Sequence, residues 1–339
     1  MQPLLILNME EFNGERLAEL IFILIWNNIA SDDTSAVARA VKNRFIGFRS
    51  ELEFTSLCRN HNKETFSGGS LMPLRAGQAT LSAPVYFTFD FHSPERYTEI
   101  YRRMAETNMS KLIYITADTE KPWKNTSFFG FDFPTPQFKC YDFQFNGFRD
   151  TSGFTEQLDF LTRHFTPRQI FQQQNPPDPE TRLWCLEMLR EYPVKDLLSV
   201  YLTRLIFDGF IGFSHYRGIP SDIDCIVRDS GGKLRLYEIK EKDVSKTHPK
   251  GFGIDVQRLN DCIAVGRALR LPYIYMVRHI DNQKERNFLG WRFILMEEFA
   301  DKTDPENLKN GGTGMNTFGN GSNPTSMLGL EHFRIFNNQ

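Results

Sequence analysis

The chain has 339 residues, of which 40% are hydrophobic and 24% are charged, and its formal net charge at pH 7 is −2. This composition is that of a globular protein with room for two ordinary domains. The nearly neutral charge excludes a chain-wide signature for binding nucleic acid or membrane surfaces, so any polyanion binding must come from a local patch.

The cysteines and the N-terminal residues indicate where the protein works. The five cysteines form no CxxC pair and have no metal-like spacing with histidine, which favours a reducing compartment. The first residues lack a basic region, and the apolar run LIFILIW (Leu20–Trp26) is far too short to cross a bilayer. The sequence therefore predicts a cytoplasmic protein with no membrane partner.

The first half of the chain predicts an α/β domain. Helical spacing of apolar residues predicts helices over 14–29 and 34–57. Runs of β-branched and aromatic residues then predict strands over 82–91 and 111–118, with a helix over 94–108 between them.

A segment rich in glutamine and proline, TPRQIFQQQNPPDPET, separates the two predicted domains. Such a composition is typical of a linker. We therefore predict an N-terminal recognition or regulatory domain over 1–165, a linker over 166–181 and a C-terminal domain over 182–339.

The second half predicts two helices followed by a hairpin, a helix and a strand. The turn signal DSGG (Asp229–Gly232) separates the two strands of the hairpin. The predicted elements are helices over 181–191 and 196–210, strands over 222–228 and 233–242, a helix over 255–270 and a strand over 273–278.

Charged side chains on the hairpin point to a metal site. Side chains alternate along a strand, so Glu238 and Lys240 share one face, as do Asp222 and Asp224 on the neighbouring strand. The short turn brings Asp224 within reach of Glu238 and Lys240. Two carboxylates and an ammonium group suit Mg²⁺ with oxygen ligands and the hydrolysis of a phosphodiester. The alternative is a solvated hairpin edge with a cross-strand ion pair.

At these residues the sequence resembles the PD-(D/E)xK nuclease superfamily. Asp224 ends the run PSDID, thirteen residues separate it from Glu238, and Glu238 to Lys240 supply the E-x-K. The resemblance covers 196–278, about a quarter of the chain. It implies an α/β fold with a restriction-endonuclease-like mixed sheet flanked by helices in the C-terminal domain.

The resemblance also implies a function and a set of roles. The expected activity is Mg²⁺-dependent hydrolysis of DNA, with Mn²⁺ as a substitute, in a restriction or phage-defence setting and in a homodimer. Asp224 and Glu238 would bind the metal, Asp222 would replace or assist Asp224, and Lys240 would assist the attacking water. Gln257, on the helix after the motif, occupies a position that carries Gln or Lys in many members. A non-cutting nucleic-acid-binding or scaffold protein and an RNA or structure-specific nuclease stay as alternatives.

One feature that many members share is missing from the expected helix. They carry a glutamate on the helix before the motif strands, where this chain offers Ser199. Glu187 or Glu191, one helix earlier, are the substitutes that the sequence suggests. Whether Asp222 or Asp224 is the metal ligand stays open as well.

Positive charge near the motif favours a polyanion partner. Residues 233–270 contain nine Lys or Arg against five Asp or Glu. The predicted nucleic-acid contacts are Lys242, Lys246 and Lys250. Lys246 and Lys250 are the better phosphate candidates, because they lie in a loop beside the motif.

The first half repeats the order of elements around the motif. Aligned with the second half, Thr88 takes the position of Glu238 and Asp90 the position of Lys240. Two interpretations stay open. Either this domain is a degenerate copy of the nuclease fold that recognises a ligand without cutting, or strand–helix–strand recurs here as a common unit.

Overall fold

A computed structural model describes residues 12–29, 31, 33–72, 85–118, 121–151, 153–157, 178–211, 221–304, 308–310 and 324–336. The fold is mixed α/β. None of the helices in these ranges is long and apolar enough to cross a membrane.

The helices of the described residues match most of the predicted helical segments. They are α1 (Gly14–Asn27), α2 (Thr34–Asn60), α3 (Thr98–Ala105), α4 (Pro179–Leu189), α5 (Val194–Arg204), α6 (Val256–Leu269) and α7 (Met296–Lys302). Short 3-10 turns cover Pro94–Tyr97 and Leu330–His332, and a π-helical turn covers Leu205–Phe210.

Strands before the motif are β1 (Glu64–Ser67), β2 (Ser70–Met72), β3 (Val85–Phe89), β4 (Lys111–Asp118), β5 (Lys124–Phe128), β6 (Phe131–Thr135), β7 (Gln137–Gln144) and β8 (Gly147–Asp150). Those from the motif onward are β9 (Ser221–Asp222), β10 (Cys225–Arg228), β11 (Leu234–Asp243), β12 (Gly251–Asp255), β13 (Tyr273–Ile280), β14 (Phe288–Leu295), β15 (Leu308–Asn310), β16 (Pro324–Gly329) and β17 (Arg334–Ile335).

The chain divides into two compact units, and neither is continuous in sequence. Unit 1 comprises 1–49 and 70–220, and unit 2 comprises 50–69 and 221–339. The boundary between them therefore differs from the predicted one. Helices α4 and α5, expected to open the C-terminal domain, belong to unit 1, whereas the end of α2 and strand β1 belong to unit 2. Most of the predicted linker lies outside the described residues.

Unit 2 contains a mixed six-stranded sheet in the order β1-β10-β11-β13-β14-β17. Antiparallel pairing joins β1, β10 and β11, and β11 pairs in parallel with β13 after the α6 connection. Strand β13 is buried along its whole length, as a central strand covered on both faces must be. A second sheet in this unit has the order β12-β16-β15.

The end of α2 packs on one face of the unit 2 sheet. The Phe54 ring lies 4.9 Å from that of Tyr237 and 5.5 Å from that of Trp291, measured between centroids. Cys58, one turn later, joins the same apolar cluster. A helix far upstream in the sequence therefore closes the core behind the predicted motif strands.

In unit 1 the main sheet has the strand order β8-β7-β4-β3-β2. Strand β3 pairs antiparallel with β2 and in parallel with β4, with α3 between them, and β4 pairs antiparallel with β7. The same succession of pairings runs through β10, β11, β13 and β14 in unit 2. The degenerate-copy interpretation stays a prediction, because this pairing order is shared by many α/β folds.

We expect Phe54→Ala to lower the free energy of unfolding by about 3–5 kcal/mol, because it removes a buried ring from the core of unit 2. The measurement is equilibrium denaturation followed by tryptophan fluorescence. Leu289→Ala is the matched control, since its side chain is 57% exposed, and its effect should stay within about 0.5 kcal/mol. A Phe54→Ala effect as small as that of the control would contradict the packing of α2 on this sheet.

Candidate active site

A tight turn fixes the register of the motif hairpin. Asp229 Oδ1 accepts hydrogen bonds from the backbone N–H groups of Gly231 (3.0 Å) and Lys233 (2.9 Å). This turn pairs Cys225 with Tyr237 across β10 and β11. Continuing the register by one residue places Asp224 opposite Glu238, as the sequence predicted.

Two carboxylates of the motif converge on one ammonium group. Lys240 Nζ lies 3.3 Å from Asp224 Oδ2 and 2.7 Å from Glu238 Oε1. The backbone N–H of Ile239 donates to Asp224 Oδ2 at 2.7 Å, which holds this carboxylate against β11. The predicted triad of Asp224, Glu238 and Lys240 is therefore brought together at the start of β10.

The two carboxylates differ in their proton affinity although both are buried. Burial and the neighbouring Glu238 raise the pKa of Asp224 to about 7. Burial also acts on Glu238, but Arg258 and Lys240 outweigh it and lower its pKa. Partial desolvation opposes the charge of Lys240, yet Asp224 and Glu238 together raise its pKa. Glu238 and Lys240 are therefore both ionised at neutral pH.

Arg258 is part of the site and was missed by the sequence analysis. Its Nη2 contacts Glu238 Oε2 and lies 2.6 Å from the backbone oxygen of Asp222 and 3.2 Å from Asp222 Oδ1. Gln257, the predicted residue, is exposed and donates from Nε2 to Asp261 Oδ1 at 3.0 Å. Its predicted role stays a prediction that this contact does not support.

The sequence contained a signal for Arg258. Cys262, Val265 and Leu269 are buried on the inner face of α6 at spacings of three and four residues. Extending this stripe backward by one turn reaches position 258, whereas position 257 falls on the outer face. Helix phase, rather than similarity to a motif, identifies the inward residue.

The other predicted site residues lie around the triad and differ in how exposed their side chains are. The Asp222 side chain is 61% exposed and reaches the triad through Arg258. Lys242 is half-buried. Desolvation is the main cause that lowers its pKa, and repulsion from Lys240 lowers it further. Lys246 and Lys250 are exposed in the loop after β11.

The carboxylate expected on a preceding helix stays a prediction for Glu187 and Glu191. Glu187 and Glu191 belong to unit 1, as does Ser199. The helix that packs on the unit 2 sheet is the end of α2, which carries Glu51 and Glu53. These carboxylates precede the motif by more than 160 residues in sequence, so chain order alone gave no reason to consider them.

Glu51 and Glu53 have different surroundings on α2. Glu53 receives two hydrogen bonds from Arg278, at 2.6 and 3.0 Å. Glu51 lies close enough to Cys225 to contribute, after burial, to the raised pKa of that thiol. Because Cys225 directly follows Asp224, Glu51 lies near the start of the motif strand β10.

In unit 1, the aligned positions carry different chemistry. Thr88 is buried, and its Oγ1 lies 2.9 Å from the hydroxyl of Tyr101. Asp90 Oδ1 lies 2.6 Å from His92 Nδ1, and the Tyr97 hydroxyl donates to Asp90 Oδ2. No carboxylate–lysine pair equivalent to Glu238 and Lys240 occupies these two positions.

Asp224 and Glu238 fit a hard divalent cation. Glu238 Oε1 is buried and accepts no hydrogen bond from the described residues, although Lys240 Nζ lies 2.7 Å away. In the described part of the chain, no group of three or more His, Cys, Asp or Glu side chains is arranged as a metal centre. Mg²⁺ is commonly held by one or two carboxylates, with water and substrate phosphates as its other ligands. Two converging carboxylates meet that requirement.

Comparison with known proteins gives one partial likeness. No protein-family model matches the chain, and no curated protein matches it. The solved structure of Archaeoglobus fulgidus Hjc, a Holliday junction resolvase from an archaeal hyperthermophile, aligns with 30% of this chain and 59% of its own chain. The sequence identity is 11% and the TM-score is 0.18. A likeness of this size assigns neither a family nor an activity.

We expect the metal-free protein to lose stability as the pH rises from about 5 to about 8. The folded pKa of Asp224, about 7, lies above the unfolded value of 3.8, so the folded state binds more protons in this window and the contribution is lost as the carboxyl ionises. Asp224→Asn should flatten the curve by on the order of 2 kcal/mol. The measurement is urea denaturation in EDTA at several pH values.

Asp229→Asn is the control for this titration. Hydrogen bonds, chiefly from the backbone of Lys233, lower the pKa of Asp229, so its own contribution is lost only at more acidic pH. The slope between pH 5 and pH 8 should therefore match that of the native chain. An Asp224→Asn curve parallel to the native curve would contradict the raised pKa of Asp224.

Proposed function

We propose that the chain is a metal-dependent nuclease that hydrolyses phosphodiester bonds of DNA. The observation that carries the proposal is the convergence of Asp224 Oδ2 and Glu238 Oε1 on Lys240 Nζ. The hairpin, connecting helix and parallel strand of unit 2 follow the order that the PD-(D/E)xK resemblance implies. A restriction or phage-defence setting and a homodimer stay predictions.

Asp224 and Glu238 are the residues that would hold the ion. Bound there, Mg²⁺ would supply positive charge for the phosphoryl oxygens and acidity for a water molecule. The hydrogen bond from Ile239 N–H holds the Asp224 carboxylate against β11. Exclusion of bulk water around these buried carboxylates strengthens every electrostatic interaction that they make.

Lys240 acts as a cation in this proposal. The two carboxylates raise its pKa despite its partial desolvation, so the side chain keeps its proton at neutral pH and is a poor general base. Its side chain is 42% exposed, which leaves it accessible to a substrate phosphate. The ammonium group therefore orients the attacking water or stabilises the negative charge that develops on the phosphoryl oxygens.

The carboxylate on a preceding helix stays a prediction. The end of α2 packs on Tyr237 and Trp291, so Glu51 belongs to the face of the sheet opposite Glu238 and is not proposed as a ligand. Asp222 is proposed as an outer group, because Arg258 binds both its carboxylate and its backbone oxygen.

Lys246 and Lys250 are proposed to contact the DNA backbone. Both are exposed in the loop that links β11 to β12. Lys309 of β15 donates from Nζ to Ser245 Oγ in that loop at 2.9 Å and so adds a third positive charge beside it. Lysine side chains of this kind bind phosphates without reading the base sequence.

We expect Lys240→Ala to lower the rate of DNA cleavage by about 10²–10³-fold, because it removes the charge that faces the reacting phosphate. The measurement is cleavage of plasmid, duplex, single-stranded DNA and RNA in Mg²⁺, Mn²⁺ or EDTA. Lys284→Ala is the control, since that side chain is 91% exposed and pairs with Glu285. Metal-dependent cutting that survives Lys240→Ala would place the chemistry elsewhere.

We expect Lys246→Ala and Lys250→Ala each to weaken DNA binding without preference for sequence. Each should reduce the slope of log Kd against log salt by about one unit, because one phosphate contact and its released counterion are lost. The measurement is fluorescence anisotropy of a labelled duplex across a salt series. An unchanged slope in both variants would remove this loop from the DNA interface.

A further inference from the structure

Arg258 is anchored at its backbone, and its side chain reaches into the site from there. Its N–H donates to Asp255 Oδ1 at 3.1 Å, which caps α6 and fixes the first turn. The guanidinium reaches Glu238 Oε2 and the backbone oxygen of Asp222, and the side chain is 18% exposed. A change of rotamer would therefore move the guanidinium without disturbing the helix.

The two oxygens of Glu238 are both in contact with cations. Lys240 Nζ faces Oε1 at 2.7 Å, and the Arg258 guanidinium contacts Oε2. A divalent ion bound by Asp224 and Glu238 would lie next to the guanidinium, and like charges at such short range repel strongly in a buried site. A metal ion at this site would therefore compete with Arg258 for the same carboxylate.

We propose that Arg258 holds Glu238 until the metal binds and then moves its guanidinium to a substrate phosphate, where it acts as a catalytic residue. The inference rests on the proposed function, since it uses the same metal site. A guanidinium is suited to both partners, because its planar N–H groups match carboxylate and phosphate geometry alike. Asp222, which is 61% exposed, gives the side chain a second anion at the outer end of this path.

Competition and transfer predict opposite effects of one substitution. Without the guanidinium, Glu238 Oε2 is released for the ion, so Arg258→Gln should bind metal about tenfold more tightly, the scale of one charge-assisted hydrogen bond. The same variant lacks the phosphate contact, so its kcat should fall about 10²-fold. A residue with a purely structural role would weaken metal binding and catalysis together.

The experiment is calorimetric titration of Mn²⁺ alone into the full chain, paired with cleavage kinetics at saturating metal. Arg258→Lys keeps the charge but loses the planar fork, so its metal affinity should stay within about twofold of native while kcat falls about tenfold. Arg267→Gln is the control on the same helix. Its side chain is 71% exposed and pairs with Glu297, and neither quantity should change.

Two outcomes would overturn the inference. Metal affinity in Arg258→Gln that equals or falls below native would exclude competition. A native kcat in Arg258→Lys would exclude transfer, and this variant decides the question if circular dichroism shows that Arg258→Gln is unfolded. Native metal affinity in Asp224→Asn would instead overturn the proposed metal site itself. Loss of affinity in Asp224→Asn with no gain in Arg258→Gln would overturn the inference alone.

Discussion

The buried carboxylate of Glu238 is the constraint on which the motif depends. Its side chain is 1% exposed, and an isolated charge at such a position would cost several kcal/mol in lost hydration. Lys240 and Arg258 offset this cost from two sides, one from the same strand and one from α6. The pair of cations keeps Glu238 ionised, whereas Asp224 carries the raised pKa. A metal ion at this site would bind a carboxylate that is already ionised and already held in position.

Because side chains alternate along β11, the charged residues of the candidate site lie on one face of the sheet and the charged residues that hold α2 lie on the other. Glu238 and Lys240 face α6, while the neighbouring Glu241 faces α2 and is completely buried. Glu241 accepts from Arg278 and Arg286 at 3.0 and 2.8 Å, and Arg278 also binds Glu53 on α2. In sequence, a charged residue at this position is typical of a solvated strand exit. Burial of Glu241 instead fixes α2 on the sheet, on the face opposite the site.

The two units share one order of strand pairing but carry different side chains on the strands that pair in parallel. In unit 1 strand β3 carries Thr88, and Asp90 follows its end; these two residues bond to tyrosine and histidine side chains. In unit 2 the strand that pairs in parallel with β13, strand β11, carries Glu238 and Lys240. The pairing order therefore supplies a platform, and only the side chains at the strand end determine what it can bind.

The sequence alone determined the local features of this protein. The alternation of apolar and polar residues and the DSGG turn determine the hairpin. The register of the hairpin in turn brings Asp224, Glu238 and Lys240 together. These contacts are local, because they depend on neighbours within about 20 residues. The tertiary structure alone decided which helix covers the sheet and where the unit boundaries lie. The end of α2 joins unit 2 across more than 150 intervening residues, and no local pattern encodes such a contact. The choice of Arg258 over Gln257 lies between these cases, since helix phase encodes it but only the packed sheet shows which face is inward.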